Sequence, residues 1–377
     1  MKRSLVILLL FAMLVSVFCS CDSNTSVGTD TETETEAVSD TELETEAETE
    51  PVVVLPEYIN PLTGLAASDD FSASRPVAIM INNLRGALPQ EGIAKCDIMY
   101  ECLVEGGITR LMVVKSDYES LGVIGSIRSS RHYYLDLVKN HDAIYVHAGG
   151  SDKAYVEIKQ RGINNLDGVN MYVPDMFYRD KDRLQTMSYE HTLMTTGEKI
   201  ANGIAYKKYR TELSEEFVGK TAFNFVEYGA ERVIDGESAS CIWLPYSNYQ
   251  QIRFDYDEAT KSYYRYQFKD SPHIDGTTGE QMNFTNLLIL FCPTVSMGDS
   301  AGHLDITTEN KNGVGYYVYG GKCEQISWDK PTQDAPITYY GADGGELVVN
   351  RGKTFVSIFP DYNKQNIEFN YVPIVTE

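Results

Sequence analysis

The chain has 377 residues, with 54 acidic side chains against 32 basic ones and a formal net charge of −22. That balance excludes nucleic acid as a partner, because phosphate backbones are bound through clustered Lys and Arg. Of seven cysteines, five (Cys96, Cys102, Cys241, Cys292, Cys323) fall in the globular part at irregular spacing. They read as neither a disulfide framework nor a paired-CxxC zinc site, and no metal or cofactor is expected.

The chain opens MKRSLVILLLFAMLVSVFCSC. Lys2 and Arg3 precede an apolar run, Leu5 to Phe18, that is shorter than the roughly twenty residues a spanning helix needs. This is the layout of a secretory signal. Ser20-Cys21 is similar to the end of a bacterial lipobox, so residues 1–21 are expected to be a lipoprotein signal with Cys21 as the lipidated residue. Phe18 and Cys19 depart from that box, and the alternative is an ordinary cleaved signal.

Residues 22–55 follow as a tether. They hold eleven acids between Asp22 and Glu50, with no basic and no aromatic residue. Such a segment cannot bury enough apolar surface to offset its ordering entropy, and its charges extend it, so it is expected to be disordered. The implied address is extracytoplasmic, with the membrane reached through a lipid anchor alone, since no polybasic segment suggests docking to anionic lipid. Beyond the tether the body still carries a formal charge of about −13.

The body contains mixed elements. RPVAIMINN (75–83) reads as a buried strand with Pro76 at its entry. DIMYECLVEGGITRLMVVKSD (97–117) reads as two strands around Gly106-Gly107. HYYLDLVKNHD (132–142) reads as a helix with Tyr133, Leu137 and Val138 on one side, and AIYVHAGG (143–150) as a strand. Ser151 is placed as the N-cap of a helix running to about Gln160. Further on, QIRFDYDEATKSYYRYQF (251–268), GVGYYVYGGKCEQISW (313–328) and GELVVNRGKTFVSIFP (345–360) each read as a hairpin, and TNLLILFCP (285–293) as a buried strand. The fold class is therefore α+β: a mixed α/β domain over 56–205, then a mostly β domain over 206–377, behind the disordered acidic tether.

NPLTGL (60–65), RPVAIMINN, DIMYECLVEGGITRLMVV (97–114), IGSIRSSRHYYLDL (124–137), YVHAGGSDKAYVEI (145–158), NNLDG (164–168) and YRDKDR (178–183) resemble the YerB-like family of bacterial envelope lipoproteins. ISWDK (326–330) and GELVVNRGKTFVSIFP extend the resemblance through the second domain. It implies a lipoprotein address and paired domains of unknown function, and supplies no activity. Relatives often read IGPVRSAR where this chain has Ser126 in place of the proline, a change expected to loosen the loop while keeping the arginines.

Chemistry must come from the residues. Arg128 and Arg131 crowd the start of the 132–142 helix, where unpaired N–H groups and about half a positive charge already sit. They call for an acid. It is either internal, from Glu101, Glu105 or Asp97, or external, borne by a cell-envelope component or cell-wall protein. Arg110, His147 and Ser151 complete this candidate ligand-binding set. A second reading makes Glu101 and Glu105, four apart and facing one side of a strand, the acids of a glycan or ester hydrolase working with His147. Against it, no G-x-S-x-G elbow is present and Ser151 followed by Asp152 is better explained as a cap. His191 is a second histidine for the same cleft, and no HExxH spacing marks a metal site. A third reading is a scaffold with the arginines internally paired.

Overall fold

The computed structural model describes residues 54–373. The expected signal with Cys21, and nearly all of the tether, lie outside them. The segment 75–83 forms strand β1 (Val77–Asn82), and 97–117 forms β2 (Ile98–Leu103) and β3 (Thr109–Lys115), paired antiparallel. Between them Gly106 and Gly107 both have φ above +70°, a conformation glycine adopts without steric cost. A short strand β4 (Val123–Gly125) leads into helix α1 (His132–Lys139). Then come β5 (Ile144–His147), helix α2 (Asp152–Gln160) and β6 (Asn165–Asp167). Ser151 caps α2 as expected: its hydroxyl accepts from the Ala154 N–H at 3.3 Å. Helix α1 is buried from His132 to Val138 rather than on one side.

The two halves of the sequence share one eleven-stranded sheet. β2 pairs antiparallel with β3 and β3 with β1, while β1, β5 and β6 run parallel. On its other side β2 pairs parallel with Thr354–Pro360, which pairs parallel with Asn286–Cys292. The 310–330 hairpin then continues the sheet. Both faces are covered. On one, Ala78, Met80 and Met112 pack with Tyr133 and Leu137 of α1. On the other, Ile79, Leu111 and Phe355 meet Ile242, Phe254 and Phe284 of a smaller five-stranded sheet.

The hairpins over 251–268 and 313–328 form as expected. The one expected over 345–360 does not. Val348–Val349 pairs with Asn224–Phe225, and Thr354–Pro360 enters the large sheet between two parallel neighbours. All seven residues of that strand are buried. A strand covered on both faces reads as a continuous apolar run, which a turn-centred reading mistakes for a hairpin arm. The Gly125–Ser126 peptide is cis. Ser126 is fully buried and its carbonyl accepts from the Asn82 N–H at 2.9 Å, so the loop is held to β1.

Candidate functional site

Arg131, the N-cap residue of α1, is answered from within the fold. Its Nε donates to Glu105 at 2.9 Å and an Nη donates to the same carboxylate. Arg110 on β3 donates to Glu105 at 2.8 Å and to the Ser129 carbonyl at 3.0 Å. Arg110 and Arg131 keep only 3% and 8% of their side chains exposed, and Glu105 keeps 23%. Burial alone would raise the Glu105 pKa, but the two guanidiniums outweigh it and hold the group at about 2. Of the candidate ligand-binding set, Arg110 and Arg131 therefore belong to an internal ion pair, although Arg110 Nε is buried without an acceptor.

Glu101 and Glu105 do not face one side, because the strand ends at Leu103 and the chain turns before Glu105. Glu101 is opposite Leu111 and Arg110 is opposite Cys102, so Glu101 and the Arg110 partner of Glu105 lie on opposite faces of the sheet. The Glu101 carboxylate is fully buried. It accepts from Arg265 at 2.7 Å, from Thr109 at 2.5 Å and from Asn83 at 3.2 Å. His273 and Gln90 extend this network, which ties the smaller sheet to β2.

His147 is likewise enclosed. Its Nδ1 bonds the Gly149 carbonyl at 2.8 Å and its Nε2 accepts from the Asn165 amide at 2.9 Å, which fixes the neutral Nδ1–H tautomer. Burial lowers its pKa further, against the pull of Asp167. Both ring nitrogens are committed, and His147 and Glu101 are both fully buried. Ser151 is engaged as the helix cap.

Arg128 differs. It flanks a cavity of about 360 Å³ at the carboxyl ends of β5 and β6, the place where open parallel sheets receive ligands. The floor is built by local backbone. Gly149, at φ +79°, turns the chain from β5 toward α2. Asp167 then fixes that turn, accepting from the Gly149 N–H at 2.7 Å and the Tyr155 hydroxyl at 2.8 Å. The far wall is Arg179, Tyr189 and Glu190. The Arg179 guanidinium lies 3.8 Å from the centroid of the Tyr189 ring and donates to the Tyr189 carbonyl at 2.6 Å.

Arg128 Nη2 donates to Glu190 at 2.7 Å, but Glu190 is 49% exposed and Arg128 Nε is buried with no acceptor. Burial would raise the Glu190 pKa; its bond to Arg128 and that charge more than offset this and lower it. The Nε–Nη2 edge is the fork that takes a carboxylate or phosphate with two parallel bonds, and Glu190 fills only half of it. The charged side chains that line the cavity are Arg128, Arg179 and Glu190, with the Asp167 carboxylate buried beneath them in the floor. Arg179 and Glu190 were absent from the sequence-derived set. Their signals were the YRDKDR motif and the neighbourhood of His191, whose Nδ1 bonds Asn82 at 2.8 Å.

Among the described residues no group of three or more His, Cys, Asp or Glu side chains is placed to hold a metal. The same residues contain five free cysteines.

The family model described as "Protein of unknown function (DUF3048) N-terminal domain" matches residues 62–210, and its C-terminal counterpart matches 242–356. The chain belongs to the YerB-like family. It is 27% identical over 318 residues, 81% of its length and 88% of the relative's, to a Bacillus subtilis (strain 168) protein named "Putative lipoprotein YerB". It is also similar to the crystal structure of the YerB protein from Bacillus subtilis. That match has a TM-score of 0.69 and 25% identity, over 82% of this chain and 98% of the other. The two matched segments of this YerB-like chain correspond to the two halves that meet at β2 and Thr354–Pro360.

Proposed function

We propose that the chain is a lipid-anchored, extracytoplasmic envelope protein. Its folded body is a binding module for an acidic envelope component or an acidic segment of a cell-wall assembly protein. The signal-like start, Ser20-Cys21 and the acidic tether support the anchor, together with the similarity to a protein named "Putative lipoprotein YerB". No helix among the described residues is long and apolar enough to cross a membrane. The observation that carries the binding reading is the half-filled guanidinium fork of Arg128 at the mouth of the cavity. An unpaired buried N–H costs about 1–3 kcal/mol, which an incoming acid recovers on binding side-on. Glu190 is the internal stand-in that such an acid displaces, and Arg179 supplies the second positive charge.

The test is a thermal titration of the full chain in detergent with glutarate and, separately, with inorganic phosphate. A ligand that binds only the folded state raises the midpoint in proportion to its occupancy. The reading expects a saturable rise, a larger rise at equal concentration in Glu190→Gln, and none in Arg128→Ala/Arg179→Ala. No rise with either probe, or a rise retained by the double variant, overturns it.

A further inference from the structure

A second cavity, of about 610 Å³, opens between the strand Cys241–Pro245 and the turn Asp361–Asn366. It is built from a different chemistry, with aromatic rings and side-chain amides. Trp243 lies on the opposite face of the strand from Ile242 and Leu244, which are fully buried in the core, and it keeps 9% of its own surface exposed at the cavity wall. Tyr371 stacks on the indole at 4.6 Å and 16°, fixing its orientation. Tyr362, 56% exposed, stands at the same cavity.

The polar groups are amides. Asn363 anchors the turn by donating to the Pro245 carbonyl, and Gln365 Nε2 donates to the Tyr362 carbonyl at 3.0 Å. Their arrangement leaves the Gln365 carbonyl and the exposed Asn248 amide free to meet a ligand. Glu368 is the single charged residue of the lining, and no cation faces it there. That composition disfavours an anion.

An extended peptide is also disfavoured, because the strand edge it would pair with is occupied. Trp243 N–H donates to the Glu368 carbonyl at 2.8 Å, Glu368 N–H returns to Trp243 at 3.2 Å, and Tyr371 N–H donates to Cys241 at 3.0 Å. Aromatic faces beside neutral donors and acceptors fit a sugar ring, with its apolar C–H face and its rim of hydroxyls. The volume is within the roughly 300–1,000 Å³ of small-molecule sites. We infer that the groove between Trp243 and Tyr362 is a binding site for an uncharged saccharide. It is separate from the Arg128 cavity and shares no residue with it.

The chain has two tryptophans, and Trp328 is fully buried with its N–H bonded to Val314 at 3.2 Å. A ligand-dependent change in tryptophan fluorescence is therefore assigned to Trp243, which lines the cavity, rather than to Trp328. The full chain in detergent is titrated with N,N′,N″-triacetylchitotriose, a neutral probe, and with trilysine for comparison. The inference expects a saturable change with the sugar, weakened at least about fivefold in Tyr362→Ala. Tyr362→Phe, which keeps the ring, binds within about twofold of wild type, as does Arg128→Ala. A factor of five is about 1 kcal/mol, the scale of one aromatic contact. No saturable change, an unaltered Tyr362→Ala, or trilysine binding as tightly as the sugar would overturn the inference, whatever becomes of the Arg128 reading.

Discussion

Replacing Glu105 by glutamine removes the carboxylate shared by Arg110 and Arg131 while keeping the side chain's shape. The magnitude follows from its pKa, which moves from 4.5 to about 2 on folding. At 1.36 kcal/mol per unit that shift is worth at most about 3.4 kcal/mol. Because Glu105 keeps 23% of its side chain exposed, screening lowers the figure toward about 2 kcal/mol. Stranding two nearly buried guanidiniums pushes the other way, as breaking a buried pair costs about 3–5 kcal/mol. The net expectation for Glu105→Gln at pH 7 is a loss of about 2–4 kcal/mol. The folded pKa is depressed, so the carboxylate's contribution is fully present above pH 4.5 and is lost as pH falls through about 2. Urea unfolding of wild type and variant across that window should therefore show their stability difference shrinking toward zero near pH 2. A difference below about 0.5 kcal/mol at pH 7, or one that persists unchanged to pH 2, refutes the reasoning.

The Glu101–Arg265 pair has both side chains fully buried, so Arg265→Met should cost about 3–5 kcal/mol in chemical denaturation. Arg128→Ala, whose partner Glu190 is exposed, should cost less than about 1 kcal/mol; equal losses would show that the two pairs are not of different kinds. Cys21→Ala should move the protein from the membrane to the soluble fraction, since stable anchoring rests on acyl chains, and a wild type carrying no lipid by mass spectrometry contradicts the anchor. A chain beginning at Leu55 should melt within about two degrees of the longer one, because the composition of 22–54 offers nothing to a core; a large drop means the segment packs on the body.

Local signals in the sequence carried much of this fold. A glycine pair gave the turn between β2 and β3, a serine before Asp152 gave the start of α2, and the DEATK and GG turns gave two hairpins of the second half. What local pattern could not carry was pairing at long range. The strand Thr354–Pro360 lies beside β2, more than 250 residues earlier in the chain, and its apolar run is silent about its neighbours. The candidate site divided in the same way. That the arginines before α1 demand an acid was legible from charge at a helix start. Which acid answers which arginine depended on a turn that carries Glu105 off the strand and on Glu190 arriving 62 residues after Arg128. Even spacing placed Glu101 and Glu105 on one face only on the premise that the strand continued through both.

The binding claim rests on the Arg128 fork, so the most direct measurement observes that group itself. Nitrogen-15 NMR of the arginine Nε–H signals in the full chain, titrated with glutarate, reads it without assuming which natural acid binds. The account predicts a saturable shift of the Arg128 Nε–H signal that Glu190→Gln brings on at lower glutarate, while the signal of Arg265, whose side chain is fully buried, stays still. An Arg128 signal that does not respond in either protein would contradict the account.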